Sequence, residues 1–437
     1  MHDPIVPAML VSAFGPGLAA LVIGLWAVLS PRRPTEQTVS RVVGVGLALS
    51  LLGAVAAAGL YIGGHPAGEI HVGDWVRIGD YAVPIVFLVD GVTVAFGVLS
   101  AVTSALAARF SRTYLHKEAG YLRFFVLLAL FATGAQLISF AGAFDLLFAG
   151  WELVGVSSAL LIGFFHERQE PVRSSLRAFA TYRACDVAFF IAIVAIHELL
   201  GTTRLSVLST SASLPEWERA LVAGLLLVAA FGKSAQLPFS SWLPRAMEGP
   251  TPSSALFYGA VSVHAGLYLL LRVWPLLDTV PVVEVIAAIV GVATAIYGGL
   301  VARVKTDAKG ALAHATLAQT GLILAEIALG FSTVALVHIV GHALLRLWQY
   351  LRAPNTLHDA HHRGHAHHDE AWWQRLLPAP WSTRVFAAAM QRLRLDERLD
   401  AVVAPLFAVA RALERGDRRL RAAVSLDEVE RTDRSPR

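Results

Sequence analysis

The stretch GKSAQLPFSSWLPRAMEGPTPSSALFYGAVSVHAG, from Gly232 to Gly266, decides how this chain is read. It follows directly on an apolar run, ALVAGLLLVAAF (220–231), with the composition of a membrane span. Into that span it places Lys233 and, five residues on, Pro238. A lysine near mid-bilayer costs about 3 kcal/mol on insertion scales, so it needs a partner or a water-filled cavity. The proline removes a backbone donor and breaks the helix beside the lysine. Irregular backbone at membrane depth survives only where protein or a cavity covers it. A charge beside such a break points to an ion path. The competing reading is a helix-end lysine whose stem lies on apolar surface while its head reaches the interface.

Working outward, about eleven apolar runs approach the roughly 20-residue spanning length. They lie at 7–30, 42–63, 84–109, 121–141, 143–165, 176–200, 218–246 with the break at Pro238, 253–273, 279–303, 309–330 and 333–352. The expected fold is therefore an all-α polytopic membrane protein with a broken seventh helix. Between the second and third runs, HPAGEIHVGDWVRIGDYAVP alternates apolar residues around Gly-Asp turns and predicts a short extracytoplasmic β-hairpin. Composition agrees: 56% of residues are hydrophobic, 16% are charged and the net charge is only +4, which argues against nucleic acid as a partner. The single cysteine, Cys185, permits no internal disulfide and no cysteine-cluster metal site. The apolar N-terminus lacks a cationic leader region and reads as a retained helix.

Loop charges set an expected orientation. Arg32, Arg33 and Arg41 mark the first loop, Arg109, Arg112, Lys117 and Arg123 the third, Arg168, Arg173 and Arg177 the fifth, and Arg303, Lys305 and Lys309 the ninth. The even loops hold fewer, with Arg77 in one and Arg204 and Arg219 in another. By the positive-inside rule the odd loops are cytoplasmic, which puts the N-terminus outside and the C-terminal tail inside the cell (inner) membrane.

Two domains follow: a transmembrane domain over 1–352 and a tail over 353–437. The tail opens with a histidine-rich tract, HDAHHRGHAHHDE (358–370), which lacks the ligand spacing of a metal scaffold and reads as a solvated linker. Beyond it, WSTRVFAAAMQRLRLDERLDAVVAPLFAVARALERGDRRLRAAV has apolar residues at helical spacing with arginines opposite, the pattern of amphipathic helices on a membrane surface or a partner. The final residues read as disordered.

The chemistry-bearing candidates are the intramembrane ionisable groups: Glu152, Asp186, Lys233, His264, His338, His342 and Arg346. The last three are spaced i, i+4, i+8 and stack along one helix face. A single buried polar residue can be a satisfied core group. A carboxylate, a lysine and histidines on successive spans are harder to explain by packing. A carboxylate near a buried lysine favours the charged form, desolvation the neutral one. If Glu152 alternates between Lys233 and another partner, the lysine takes up and gives up a proton, which histidines can relay.

KSAQLPFSSWLPRAMEGPTPSSAL, WELVGVSSALLIGFF (151–165), TYRACDVAFF (181–190) and KTDAKGALAHATLAQTGLILA (305–325) together resemble the antiporter-like membrane subunits of respiratory complex I and of Mrp-type antiporters. The likeness is greatest to the largest complex I member and covers roughly residues 70–352. It implies that Glu152 and Lys233 form a coupled pair and that Asp186 is the sixth-span aspartate. It also implies two inverted five-helix repeats, of which spans four to eight form a complete first copy and the second is truncated after three helices. The chain departs from the pattern at Arg346, which replaces a lysine and cannot release a proton. It departs again in the eighth span, where the family's histidine position holds Tyr258 and His264 follows about two turns later.

No dinucleotide fingerprint or cysteine cluster appears, so the chain is read as needing no cofactor and no metal, and any NADH or quinone chemistry is assigned to other subunits. Three readings stand. The chain is a proton-translocating subunit of a complex I-like assembly, an ion-transporting subunit of a DAB-type inorganic-carbon uptake complex, or a non-conducting structural subunit. The expected partners are other membrane subunits, the bilayer and protons, with sodium left open as the ion.

Overall fold

The computed structural model describes residues 4–79, 81–353, 378–401, 404–405, 408 and 412–418. The chain divides into two compact units, Met1–Arg375 and Leu376–Arg437. In the first, the helices are α1 (Ile5–Leu29), α2 (Glu36–Ile62), α3 (Gly91–Tyr114), α4 (Tyr121–Phe140), α5 (Phe144–Ile162), α6 (Gln169–Leu200) and α7 (Glu216–Lys233). They continue as α8 (Thr251–Arg272), α9 (Pro281–Val304), α10 (Ala308–Ala328) and α11 (Ser332–Arg352). All but α7 are long and apolar enough to cross a membrane, ten in total among the described residues. With Glu216, Glu218, Arg219 and Lys233 in its sequence, α7 is the half-helix of the broken crossing. The polytopic, mostly helical architecture read from the sequence is the one observed.

Local chemistry sets the ends of these helices. The Asp90 carboxylate accepts from the Thr93 amide, and the Thr93 hydroxyl accepts from the Asp90 amide, a reciprocal cap. Asp307 accepts from the Gly310 amide at the start of α10, and Thr35 from the Thr38 amide at the start of α2. The cap at Asp90 corrects the third span, whose expected range of 84–109 begins too early. Residues Tyr81–Val89 form β2, antiparallel to β1 (Gly68–Ile78), with Ile78 opposite Tyr81 and Gly68 opposite Val89. The run YAVPIVFLV is apolar enough to look like membrane, but its β-branched residues extend it, and the helix starts only after the Asp90 cap. Gly79, with φ 59°, supplies the left-handed residue that the tight turn needs. The hairpin is tied down where Phe87 bridges Ala141 and where Glu69 accepts from the amide and hydroxyl of Ser206.

The seventh crossing is broken as the lysine–proline spacing implies. Helix α7 ends at Lys233, Ala235 is left-handed (φ 52°), and short turns at Phe239–Ser241, Trp242–Arg245 and Ala246–Glu248 lead to α8. The break satisfies its backbone internally, as apolar surroundings require. The Gln236 amide reaches Phe231 O at 2.9 Å, the Leu237 amide reaches Thr294 Oγ1 of α9 at 3.1 Å, and the Trp242 indole reaches Gly232 O at 3.0 Å. Helix α8 carries a π-helical segment, Ser254–Ala260, in which every residue is buried. Such segments recur at functional sites.

In the second unit the described residues include α12 (Ala379–Met390), where Trp381, Phe386 and Met390 are exposed. The histidine-rich tract at 358–370 lies outside the described residues.

Candidate functional site: two buried polar clusters

The break in the seventh crossing delivers Lys233 into a pocket made by α5 and α6, where it is only 1% exposed. Its ammonium donates to the carbonyl oxygen of Trp151 at 3.1 Å and lies 4.7 Å and 4.9 Å from the ring centroids of Trp151 and Tyr182. Both rings therefore offer it cation–π stabilisation. Gly155 makes room: a Cβ there would stand 3.2 Å from Lys233 Nζ.

Glu152 and Asp186 face the same pocket, and here the structure adds a residue that sequence reasoning missed. Glu152 does not pair with Lys233; it pairs with Arg183 of α6. The same guanidinium nitrogen, Nη2, lies 2.9 Å from Asp186 Oδ2, and the Trp151 indole donates to Asp186 Oδ1 at 2.6 Å. Lys233 sits within electrostatic reach of Asp186, Glu152 and Arg183. The cluster thus holds two carboxylates and two cations and is neutral when all four are ionised. Arginine does not give up its proton, so Lys233 is the one cation of the pair able to change charge. The available signal was the spacing of Arg183 and Asp186, i and i+3 in an apolar run, which places both on one helix face. Glu152 also borders a lateral groove of about 430 Å³ whose other lining residues, Phe14, Trp75, Leu137 and Val156 among them, are apolar or aromatic.

The second cluster joins α8, α10 and α11. His264 Nε2 lies 2.9 Å from His342 Nδ1, and Arg346 Nε donates to His342 Nε2 at 3.1 Å. Because arginine only donates, these contacts define the tautomers. His342 Nε2 accepts from Arg346, so its proton is on Nδ1 and is donated to His264 Nε2. His264 then carries its own proton on Nδ1 and donates it to Ala260 O at 2.7 Å. Every hydrogen bond runs one way, from Arg346 through two neutral imidazoles to the backbone of the π segment. His338, on the same face of α11, contacts Glu326 and Gln319 of α10, and its ring centroid is 6.2 Å from that of His342. Glu326 and Gln319 were also missed; only the packing of α10 on α11 brings them to His338.

His264 is thus the eighth-span group that meets the α11 histidines. Tyr258 instead donates to Ser158 O of α5 at 3.3 Å and packs edge-on against Trp242, whose centroid is 5.6 Å away. Trp242 in turn packs on Tyr182, so aromatic contacts run from the Lys233 pocket to the π segment of α8. Nearer the hairpin, Arg272 at the end of α8 grips Asp90 with both terminal nitrogens, at 2.6 and 2.9 Å, fixing the eighth span to the start of the third. Among the described residues no group of three or more histidine, cysteine, aspartate or glutamate side chains is arranged to hold a metal.

A many-span helical bundle with a half-helix ending on a buried lysine, beside a balanced set of carboxylates and an arginine, defines a class: an antiporter-like membrane subunit. Comparison with known proteins narrows it. Residues 141–377 match the model of the NADH:quinone oxidoreductase/Mrp antiporter transmembrane family, and the chain belongs to that family. Residues 75–125 match the N-terminal segment of complex I chain 5. NADH-quinone oxidoreductase subunit L of Rhodobacter capsulatus is 33% identical over 67% of this chain and 44% of its own. The subunit L of Pseudomonas aeruginosa is 32% identical over 85% of this chain and 62% of its own. Among solved structures, the Mrp complex of Dietzia sp. DQ12-45-1b aligns over 79% of this chain and 37% of the matched chain, with TM-score 0.69 and 28% identity. An archaeal membrane-bound sulfane sulfur reductase shares the fold, with TM-score 0.68, 20% identity, and coverage of 79% of this chain and 70% of its own. The chain spans roughly half the length of several relatives it matches, 49%, 44% and 42% of three of them.

Proposed function

We propose that this chain is a proton-translocating membrane subunit of a multi-subunit, complex I-like assembly in a cell membrane, with its odd-numbered loops in the cytoplasm. The observation that carries the reading is the setting of Lys233: a buried ammonium at the end of a broken helix, with two carboxylates and a fixed arginine around it. In this arrangement Arg183 holds Glu152 away from Lys233. A swing of Glu152 to the ammonium favours the charged lysine; its return to Arg183 withdraws part of that support and favours release. The freed proton moves along hydroxyls and imidazoles towards His264, His342 and His338. Among the described residues no group hydrogen-bonds the buried hydroxyl oxygens of Ser234, Ser254 and Ser262, and buried polar groups of this kind are ordinarily served by water.

The test uses proteoliposomes holding the assembly purified with this chain. Proton flux is driven by a potassium-diffusion potential and read by an entrapped pH dye. Glu152→Gln and Lys233→Ala should each abolish flux, and the double variant should be little worse than either single one, because both interrupt one step. Lys233→Arg keeps a charge but cannot release it, so transport should fail there too. Wild-type flux in Lys233→Arg would instead favour a structural ion pair. Arg346 lends that second reading its support, since a group that only donates interrupts a relay that must reverse its hydrogen bonds.

A further inference from the structure

Glu326, His338 and Gln319 form a group that the lysine pocket does not explain. Gln319 and Glu326 are seven residues apart on α10, two turns along one face. The His338 ring of α11 fits between them. Its Nδ1 lies 2.9 and 3.1 Å from the two carboxylate oxygens of Glu326, and its Nε2 lies 2.9 Å from Gln319 Oε1. Oxygen faces both ring nitrogens, so this arrangement matches a doubly protonated ring with Glu326 as its counter-ion. Once Nδ1 has passed its proton to Glu326, the Nε2–H still donates to Gln319 Oε1 and Nδ1 accepts from the carboxylic acid, so the neutral ring is matched as well. Both protonation states of His338 therefore have a complete set of hydrogen bonds, unlike His342, which Arg346 confines to one.

Position adds direction. Arg272 at the end of α8 meets Asp90 beside the hairpin, and the Arg219 side chain donates to Thr279 O just before α9, so α9 begins on the hairpin side. By alternation α10 ends there. Glu326 is two residues from that end, about 3 Å of helix rise. Its side chain is 24% exposed and that of His338 25%, whereas His264 and His342 are buried.

We propose that Glu326 is the proton-accepting carboxylate at the hairpin-side end of the histidine row, with the Gln319 amide as the positioning group that lets His338 pass between charged and neutral forms; this rests on the transport reading above. In the step, the Nδ1–H bond of the His338 imidazolium breaks, an O–H bond forms on Glu326, and the ring becomes neutral. The carboxylic acid then loses that proton to water on the hairpin side. The His338 and His342 rings pack edge to face, with centroids 6.2 Å apart.

Flux in the same proteoliposomes tests this. Glu326→Gln keeps the size and a hydrogen-bonding group but cannot accept the proton. It should lower flux by about tenfold or more, and Glu326→Asp should stay within about threefold of wild type. Gln319→Glu should also lower flux by about tenfold, because a second carboxylate holds the ring charged. In 15N spectra of histidine-labelled protein, it should leave both nitrogens of His338 protonated. Wild-type flux in Glu326→Gln with Lys233→Ala inactive would overturn the outlet and leave the transport reading intact. Wild-type flux in Lys233→Ala would overturn both. Should Glu326→Gln fail to assemble, Gln319→Glu decides alone: wild-type flux there overturns the proposal.

Discussion

Arg183 of α6 pairs with Glu152 of α5, and its Nη2 also lies 2.9 Å from Asp186. The carboxylate that sequence reasoning assigned to Lys233 is therefore held by another cation, one turn from Asp186. The lysine pocket carries no net charge when all four groups are ionised. Charge balance in a low-dielectric site gives Arg183 a definite energetic role.

Arg183→Gln should leave Glu152 without its cation. The side chains involved are partly open, so the cost is set near that of one charged hydrogen bond, about 2 kcal/mol, rather than at the buried-pair figure. Thermal unfolding of the purified assembly should show the loss, and proton flux should fall with it. Arg183→Lys should recover most of the stability, since an ammonium can still reach both carboxylates. Equal stability in Arg183→Gln and wild type would mean that the pairing contributes nothing.

The one-way hydrogen-bond chain from Arg346 makes a spectroscopic prediction. In 15N spectra of the resting assembly, the neutral rings of His264 and His342 should both carry their proton on Nδ1. Arg346→Leu removes the obligate donor, so His342 should begin to populate the Nε2-protonated tautomer. An Nε2-protonated His342 in the wild-type protein would contradict the arrangement.

Helix α7 approaches α6 so closely at Gly232 that a Cβ there would collide with both Cβ and Sγ of Cys185. Gly232→Ala should therefore push the two helices apart, at about 1–3 kcal/mol for overpacking, and displace the adjoining Lys233. Adding Cys185→Ala removes the sulfur and should restore part of the loss. A double variant no better than Gly232→Ala would place the strain on the Cβ of residue 185, which Cys185→Ala keeps.

The loop arginines predict which side each end faces. A reporter fused after Arg352 should be active only when it is one that works in the cytoplasm. Activity restricted to an outside-working reporter would reverse the assignment, and the side on which Glu326 releases its proton would reverse with it.

Much of the architecture was legible because a bilayer writes it locally. Spanning helices need about twenty apolar residues whatever they pack against, and the lysine–proline spacing marked the broken crossing without reference to any neighbour. The early start of the third span, at 84–90, arose where an apolar run was also rich in β-branched residues. There hydropathy could not separate a strand from a span, and only pairing with Gly68–Ile78 and the Asp90 cap did. The candidate residues on the broken helix and on α11 were visible because single charges and histidines stand out in apolar sequence.

Sequence alone determined that Glu152, Asp186, Lys233, His264, His338, His342 and Arg346 lie within spanning segments, because hydropathy and helical period are properties of neighbours along the chain. Which of them touch was decided only by tertiary structure. Glu152 meets Arg183 because α5 packs on α6, His264 meets His342 across 78 residues because the π segment of α8 packs on α11, and His338 finds Glu326 where α10 lies against α11. The physical reason is range. A span forms from the solvent preference of its own residues, whereas a buried charge or imidazole takes its partner from whichever helix face packing brings within about 3 Å of it.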